Sequence, residues 1–204
     1  MKKTVEYVWI DGTPLSSQVR SKTRVLDEFE APKDWNFDGG STYQGTLEDS
    51  DVILHPVRTY RDPFRQKGEN FIALCEVRNT DSTPHSSNFR AELVNQCKLP
   101  VVKDSQPLFG FEQEYTLIGP DGPLDTENPT QAYCGVGNSK VKGRELAEAH
   151  LQACMYAGVG MYGINAEVLI GQWEFQTSPM DPVKASDDLW VARYILERLS
   201  EDVN

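Results

Sequence analysis

Residues 109–115 read Phe-Gly-Phe-Glu-Gln-Glu-Tyr and place two acidic residues inside an apolar stretch. Side chains two positions apart on a β-strand point to the same side of the sheet, so Glu112 and Glu114 are predicted to share one face. Carboxylates this close repel each other unless a cation or a proton lies between them. The apolar flanks, Leu108 and Ile118, favour a central strand, and an edge strand with its charges turned outward is the alternative.

A second stretch, residues 165–179 with the sequence NAEVLIGQWEFQTSP, carries two further acidic residues. Glu167 and Glu174 lie on two strand-like pieces, and a hairpin around Ile170 and Gly171 would bring both carboxylates to one place. Several carboxylate oxygens around one point suit Mg²⁺ or Mn²⁺, and such ions commonly bridge nucleotide phosphates. The chain has no Walker A or GxGxxG motif, so phosphate would be held through the metals and elsewhere in the chain.

The rest of this second region is predicted to contain further strands and two helices. Strands are expected at about 108–118, 160–169 and 172–177, with a loop at 119–142. The first helix covers 143–157, with Gly158 as its stop and with Leu146, His150, Ala153 and Ala157 along one stripe. His150 is predicted to be structural. The last helix is expected from about Asp187, at its start, to Asp202.

The first region, up to about residue 85, is predicted to be a small sheet-rich domain. Runs rich in Val, Ile, Tyr, Phe and Leu are separated by turn residues and lie at Val5–Ile10, Ser21–Leu26, Val52–Val57 and Phe71–Val77. Residues 79–88 are polar and indicate a domain boundary, after which Asn88 could cap a helix ending near Cys97. The predicted domains are therefore 1–85 and 86–204, and the fold class is α+β.

The composition excludes several classes of protein. The chain of 204 residues has 20 Lys and Arg against 31 Asp and Glu, a net charge of −11, which disfavours nucleic acid and anionic membranes as partners. Its four cysteines form no CxxC pair, which argues against a zinc site. The N-terminus turns polar too early for a signal peptide, and no apolar run is long enough to span a membrane. A cytoplasmic protein with reduced thiols is expected.

The stretches quoted above resemble eukaryotic-type (type II) glutamine synthetases, and they occur in that family's order. The resemblance runs from about Glu6 to Asp202. It includes YVWIDGT, SKTRVLD, WNFDGGST and RDPFR in the first region, and FGFEQEYTL, AYCGVG, NAEVLIGQWEFQTSP and DDLWVARYILER in the second. It implies an N-terminal β-grasp domain followed by the first half of a catalytic domain, in which an antiparallel sheet carries helices.

The resemblance also implies roles for particular residues. Glu114, Glu167 and Glu174 match the three carboxylates that hold one metal ion, and Glu112 matches a ligand of a second ion that bridges the ATP phosphates. Asp38 matches the acid that a neighbouring subunit contributes to the ammonium site. Asp38, Glu112 and Glu114 are thus the implied catalytic residues. The implied nucleotide-contacting residues are Glu112, Glu174, Phe175, Gln176, Thr177, Ser178 and Pro179.

The reaction that this family implies is a ligation driven by ATP. The γ-phosphoryl group of ATP passes to the side-chain carboxylate of glutamate, giving γ-glutamyl phosphate, and ammonia then displaces phosphate to form glutamine. The implied cofactor is Mg²⁺ or Mn²⁺. The family assembles in homo-oligomeric rings, with active sites between the β-grasp domain of one subunit and the catalytic domain of the next.

Departures from the family leave three hypotheses open. The family's chain continues beyond the last predicted helix, so part of the site is expected to be missing. Leu108 replaces an aromatic residue, Gly40 replaces a serine, and the loop at 119–132 is short. The chain is then an incomplete glutamine synthetase, a catalytically inactive subunit that assembles with or regulates the full-length enzyme, or a separate nucleotide or metal binder.

Half of a catalytic sheet is also expected to expose an apolar face and open strand edges.

Overall fold

The computed structural model describes residues 1–119, 122–123 and 132–201. The chain divides into two compact units, Met1–Pro107 and a second unit that begins at Leu108. The predicted boundary at residue 85 lies earlier along the chain than this division and stays a prediction. Among the residues described, no helix has both the length and the apolar character that crossing a bilayer requires.

The first unit contains a five-stranded sheet with the strand order β2-β1-β5-β4-β3. Strands β1 and β5 are parallel, and the other neighbours are antiparallel. The four predicted strands are confirmed, and β3 was missed because four residues are too few for an alternating pattern to be recognised. The strands are β1 (Lys2–Ile10), β2 (Val19–Asp27), β3 (Trp35–Asp38), β4 (Asp51–Arg61) and β5 (Phe71–Arg78).

One hydrophobic cluster of the first unit lies on one face of this sheet. Alternate residues of β1, namely Val5, Tyr7 and Trp9, are buried there, as the two-residue period of a strand requires. Leu54 from β4 and Phe37 from β3 pack into the same cluster. The edge strand β3 is therefore held by side-chain packing as well as by its pairing with β4.

Short helices follow the sheet within the first unit. A 3₁₀ turn covers Gly39–Thr42. Helix α1 covers Phe89–Gln96, and the side chain of Asn88 accepts a hydrogen bond from the Ala91 N–H at 3.0 Å. The helix predicted after Asn88 is thus confirmed together with its cap. Helix α2 covers Pro100–Ser105.

The second unit is built on an antiparallel three-stranded sheet with the order β6-β10-β9. A further two-stranded ladder joins β7 and β8. The strands are β6 (Glu112–Thr116), β7 (Ile118–Gly119), β8 (Gly122–Pro123), β9 (Met161–Ala166) and β10 (Gln172–Thr177). The helices are α3 (Arg144–Ala157) and α4 (Pro182–Ser200). Much of the loop predicted at 119–142, and the predicted helix end at Asp202, lie outside the described residues.

The two faces of this sheet differ in character. Trp173 and Phe175 of β10 are buried, and the Phe175 ring lies 5.0 Å from the ring of His150 on α3. The intervening residues of β10 are half-buried and polar, including Glu174 and Gln176. The open face is therefore polar where the structure describes it, and the apolar face expected from the sequence was wrong.

Strand β6 lies at an edge, which corrects the prediction of a central strand. Within the described residues it pairs with β10 alone. The apolar flanks that suggested burial are exposed, Leu108 by 69% and Ile118 by 72% of their surfaces. The edge position leaves one side of the acidic strand accessible.

Helix α4 begins earlier than predicted, which corrects the position of its cap. The Asp181 carboxylate accepts a hydrogen bond from the Lys184 N–H at 3.0 Å, and Pro182 takes the first helical position, where its missing N–H costs no hydrogen bond. Asp187, predicted at the helix start, is instead buried inside the helix.

Candidate metal centre

Strand register brings two of the predicted acids face to face. Glu174 of β10 pairs directly with Glu114 of β6 and, on its other side, with Asn165 of β9. The hairpin predicted around residues 170–171 is confirmed, since Glu167 follows β9 and its N–H donates to the Gln172 carbonyl at 2.9 Å. The open face of the sheet thus gathers Glu114 from β6, Glu174 from β10 and Glu167 from the turn after β9.

The three carboxylates lie close enough to share one cation. One oxygen from each of Glu114, Glu167 and Glu174 lies within 4.8 Å of the others. Oxygen ligands bind Mg²⁺ at about 2.1 Å and Ca²⁺ at up to about 2.6 Å, so two ligands of one ion lie at most about 4.2 Å apart around Mg²⁺ and about 5.2 Å apart around Ca²⁺. The oxygen donors therefore fit a hard divalent cation.

Like charges directly opposite each other destabilise a pair of strands. Glu114 is exposed, whereas Glu167 and Glu174 are half-buried, so water only partly screens their repulsion. A cation between the three carboxylates would offset this repulsion.

Neutral amides hold each of the three carboxylates in place. Such hydrogen bonds orient metal ligands without competing for the metal's charge. Gln172 Nε2 donates to Glu114 Oε2 at 2.7 Å, Asn165 Nδ2 donates to Glu167 Oε1 at 3.1 Å, and Gln176 Nε2 donates to Glu174 Oε1. Gln176 Nε2 also lies 2.6 Å from Asn165 Oδ1.

Sequence reasoning missed Asn165 and Gln172. Both lie two positions from an acid, Asn165 before Glu167 and Gln172 before Glu174. That spacing is the signal that could have found them, because residues two apart on a strand share a face.

Glu112 lies apart from the group of three but on the same side of β6. It is exposed and pairs with Gln176 across the strands. It also lines a cavity of about 570 Å³, a volume typical of small-molecule sites. The remaining lining residues are Gly110, Phe111, Tyr162, Gln176, Thr177 and Pro179.

The other predicted nucleotide-contacting residues have different surroundings. The Phe175 side chain is buried on the helix side of the sheet, so only its backbone can approach the open face. Ser178 donates through Oγ to the Met161 carbonyl at 3.1 Å and through its N–H to the Gly160 carbonyl at 2.8 Å. Gln176, Thr177 and Pro179 are the members of the segment 174–179 that line the cavity.

Tyr133, which the sequence analysis did not single out, interacts with the acids. Its pKa is raised, first by the neighbouring Cys134 thiol and then by the charge of Glu167, with a smaller effect of Glu174. The side chain is largely exposed. Its hydroxyl group therefore belongs to the surroundings of the candidate metal centre.

Asp38 lies in the first unit, at the end of β3. Its carboxylate accepts hydrogen bonds from the Gly40 N–H at 3.0 Å and from the Ser41 hydroxyl at 2.9 Å. The side chain is exposed. These contacts cap the turn at Gly39–Thr42 and hold the carboxylate in one orientation.

His150 is placed as predicted, inside the second unit. It is fully buried, and its Nε2 lies 2.9 Å from the Ala192 carbonyl of α4. Burial lowers its pKa to about 4, so the ring is neutral and donates this hydrogen bond. His150 joins the two helices and is not part of the acidic face.

Comparison with known proteins finds similarity to glutamine synthetases. Residues 1–80 match the family model described as the glutamine synthetase β-grasp domain. The chain is 44% identical over 212 residues to a glutamine synthetase of Streptomyces hygroscopicus, covering 99% of the chain and 61% of that protein. It is 46% identical over 209 residues to the glutamine synthetase of Mus musculus, covering 96% of the chain and 54% of the relative.

A third relative, glutamine synthetase 1 (mitochondrial) of Drosophila melanogaster, is 47% identical over 207 residues, covering 96% of the chain and 51% of that protein. The chain thus spans about half to three fifths of the length of these curated relatives. A solved structure of a GmaS/ADP complex superposes with a TM-score of 0.70 at 18% identity, covering 97% of the chain and 46% of that structure's chain. This likeness supports the α+β fold alone.

Proposed function

The chain is related by sequence to the glutamine synthetases along nearly its whole length, and we propose on that premise that it takes part in the ATP-dependent formation of glutamine from glutamate and ammonia. The observation that supports this most directly is the group of three carboxylates, Glu114, Glu167 and Glu174, within 4.8 Å of one another. A cluster of oxygen donors beside a cavity of nucleotide size suits a reaction that uses metal-bound ATP.

The three carboxylates would hold one Mg²⁺ or Mn²⁺ ion, and Glu112 would contribute to a second. The bound ions would supply positive charge that neutralises the phosphate oxygens of the nucleotide. Glu112 lies where the acidic face meets the cavity, since it is two residues from Glu114 and also lines the cavity. The phosphates would therefore lie near Glu112, and the rest of the nucleotide beside Gln176, Thr177 and Pro179.

The proposed reaction has two bond exchanges. An oxygen of the glutamate side-chain carboxylate bonds to the γ-phosphorus of ATP, and ADP leaves. The nitrogen of ammonia then bonds to the activated carbonyl carbon of γ-glutamyl phosphate, phosphate leaves with the electron pair of the broken C–O bond, and the proton that the nitrogen loses passes to the phosphate. Asp38 would take the proton that ammonium releases, and its two hydrogen-bond donors, Gly40 and Ser41, would keep the carboxylate oriented.

Assembly and compartment are part of the proposal. Asp38 would serve a neighbouring subunit of a homo-oligomeric ring, so that each site combines two copies of the chain. The four cysteines are free in the structure, which supports a cytoplasmic compartment, where thiols are kept reduced.

A second candidate is a catalytically inactive subunit that joins rings of a full-length enzyme. The observation that favours it is the match to only about half to three fifths of the relatives' length. In such a ring the chain would supply Asp38 to its neighbour while forming no product at its own acidic face.

The first experiment measures glutamine formed by the purified chain from glutamate, ammonia, ATP and Mg²⁺. The enzyme proposal expects product from the wild type and a loss of at least about 100-fold in Glu114→Gln, the size typical when charge stabilisation of a transition state is removed. No product above the variant's background contradicts catalysis by the chain alone.

Mixed rings then test the second candidate. A full-length relative carrying Asn in place of its own ammonium-site acid is mixed with the chain. Activity restored by the wild type and not by Asp38→Asn supports the inactive-subunit function, and no restoration by either contradicts it.

Metal binding is tested separately, through stability. Without metal, Glu174→Gln removes a like-charge repulsion and is expected to raise the melting temperature, by an effect worth about 0.5 kcal/mol. In the presence of Mn²⁺ the wild type is expected to have the higher melting temperature, because the variant has lost a ligand of the ion. Glu197→Gln, which neutralises an exposed acid on α4, is the control and should leave the Mn²⁺ effect unchanged. If Mn²⁺ raises the melting temperature of Glu174→Gln as much as that of the wild type, the proposed metal centre is wrong.

A further inference from the structure

Strand β9 contains one residue too many for its pairing with β10. Gln176 pairs with Gly163, and the next residue, Thr177, pairs with Met161. One step along β10 therefore corresponds to two steps along β9, and Tyr162 is the residue left over. This is a β-bulge, a feature that redirects a side chain and is common next to active sites.

The bulge changes the side of the sheet to which Tyr162 belongs. Regular alternation would place Tyr162 with Ile164 and Ala166, which lie in the core beneath the sheet. Instead the Tyr162 side chain is 78% exposed and lines the cavity that also contains Glu112. The bulge therefore puts Tyr162 at the wall of a ligand-sized cavity, where regular pairing would have put it in the core.

Side-chain and backbone hydrogen bonds hold the bulged segment in this conformation. The Ser178 N–H donates to the Gly160 carbonyl at 2.8 Å, and the Ser178 hydroxyl donates to the Met161 carbonyl at 3.1 Å. Both acceptors immediately precede Tyr162. The position of Tyr162 is therefore built into the sheet by contacts with the end of β10.

The cavity combines two kinds of chemistry. Glu112 provides a carboxylate beside the acidic face, whereas Phe111, Pro179 and Tyr162 provide apolar and aromatic surface. A ligand with phosphates at one end and a flat ring at the other matches this arrangement.

We propose that Tyr162 is the residue on which the base of the bound nucleotide stacks. The proposal deepens the proposed function and rests on it, since it requires a nucleotide in this cavity. Stacking of a base on an aromatic side chain tolerates any base, because every base presents a flat face. Tyr162 would therefore contribute affinity for the base and no contact to the phosphates.

The test compares two ligands on the full chain by calorimetry, Mn·ATP and Mn·tripolyphosphate, which lacks the base. Tyr162→Ala is expected to weaken Mn·ATP by about tenfold, within the range measured for loss of one stacked base, and to leave Mn·tripolyphosphate unchanged. Tyr162→Phe keeps the ring and should bind like the wild type. Tyr156→Ala removes another exposed tyrosine, on α3, and serves as the matched control.

The outcomes separate this inference from the proposed function. If Tyr162→Ala binds Mn·ATP like the wild type, stacking on Tyr162 is wrong while nucleotide binding stands. Equal affinity of the wild type for both ligands also overturns the inference and leaves the metal and phosphate site intact. If the wild type binds neither ligand, the proposed nucleotide site itself is wrong. Mn²⁺ binding alone, unchanged in Tyr162→Ala, shows that the variant is folded.

Discussion

Glu114 and Glu174 face each other across neighbouring strands, an arrangement that lowers the stability of a sheet. Trp173 and Phe175 of β10 enter the core, and Gln172 and Gln176 donate hydrogen bonds along the open face. The pair of like charges is the local exception. Exceptions of this kind are expected at functional sites, where stability is given up for chemistry. Direct pairing across the strands explains why these acids meet at one point.

His150 supplies a prediction for the pH dependence of stability. Burial lowers its pKa to about 4, below the ordinary histidine value of 6.5. The unfolded chain therefore takes up a proton below about pH 6.5 while the folded chain does not, so the free energy of unfolding falls as the pH drops from about 6.5 towards 4. At about pH 5 the loss from this residue is about 2 kcal/mol.

Urea unfolding at about pH 7 and about pH 5 measures this effect. His150→Gln lacks the titrating ring, so its free energy of unfolding should fall less between the two pH values than that of the wild type. Carboxylates titrate equally in both proteins and cancel in the comparison. An equal fall in both proteins would show that His150 is already accessible to protons in the folded chain.

Strand β10 serves both faces of the sheet in the second unit. Trp173 and Phe175 are buried against the helix side, whereas Glu174 and Gln176 lie on the acidic side. A slip of one residue would exchange the two sets, so burial of the aromatic rings fixes the register that aligns the acids. Hydrophobic packing on the helix side of the sheet thus positions the acids of the candidate metal centre on the opposite side.

Two hydrogen bonds between Phe111 and Thr177 hold the start of β6 beside the end of β10. The Phe111 N–H donates to Thr177 Oγ1, and the Thr177 N–H donates to the Phe111 carbonyl, both at 2.9 Å. Thr177→Val removes the first hydrogen bond, and Thr177→Ser removes only a buried methyl group. Each is expected to cost about 1 kcal/mol of stability. Only the valine variant should loosen Phe111 and the adjacent Glu112, weakening Mn·ATP several-fold.

Denaturation and calorimetry on the two Thr177 variants distinguish these effects. Similar losses of stability with different affinities for Mn·ATP support a positioning role for the hydroxyl group. If both variants lose affinity equally, Thr177 acts through the stability of the sheet alone.

The whole chain consists of two units, and the three clustered acids all lie in the second. A ligand that binds only the folded form stabilises it in proportion to its concentration, by about 2.7 kcal/mol at 100 times its dissociation constant. Mn²⁺ at that level is therefore expected to slow hydrogen exchange in β6, β9 and β10 by up to about 100-fold. Exchange in β1 and β5 should remain unchanged.

Hydrogen exchange followed by mass spectrometry measures the exchange of both units in one sample. Glu114→Gln is the control, and its β9 and β10 amides should not respond to Mn²⁺. Slower exchange in β1 and β5 as large as that in β10 would show that the ion stabilises the first unit as well, contrary to a site held by Glu114, Glu167 and Glu174 alone.

Local patterns in the sequence determined much of this protein. Runs rich in β-branched and aromatic residues, separated by turn residues, predicted four strands of the first unit. Asn88 marked the start of α1, and Gly158 marked the end of α3. The acids were also identifiable, because two-residue spacing places Glu112 and Glu114 on one face. These features depend on neighbours along the chain, so a single sequence reveals them.

The tertiary structure decided what depends on residues distant in the sequence. The edge position of β6 follows from its pairing with β10, since the exposed Leu108 and Ile118 have the same composition as core residues. The position of Tyr162 follows from a pairing mismatch of one residue between β9 and β10, which alternation within β9 cannot show. The amide of Gln172 meets Glu114, 58 residues away. Contacts of this kind depend on which residues of two distant strands pair with each other, and the spacing of residues within either strand does not specify that.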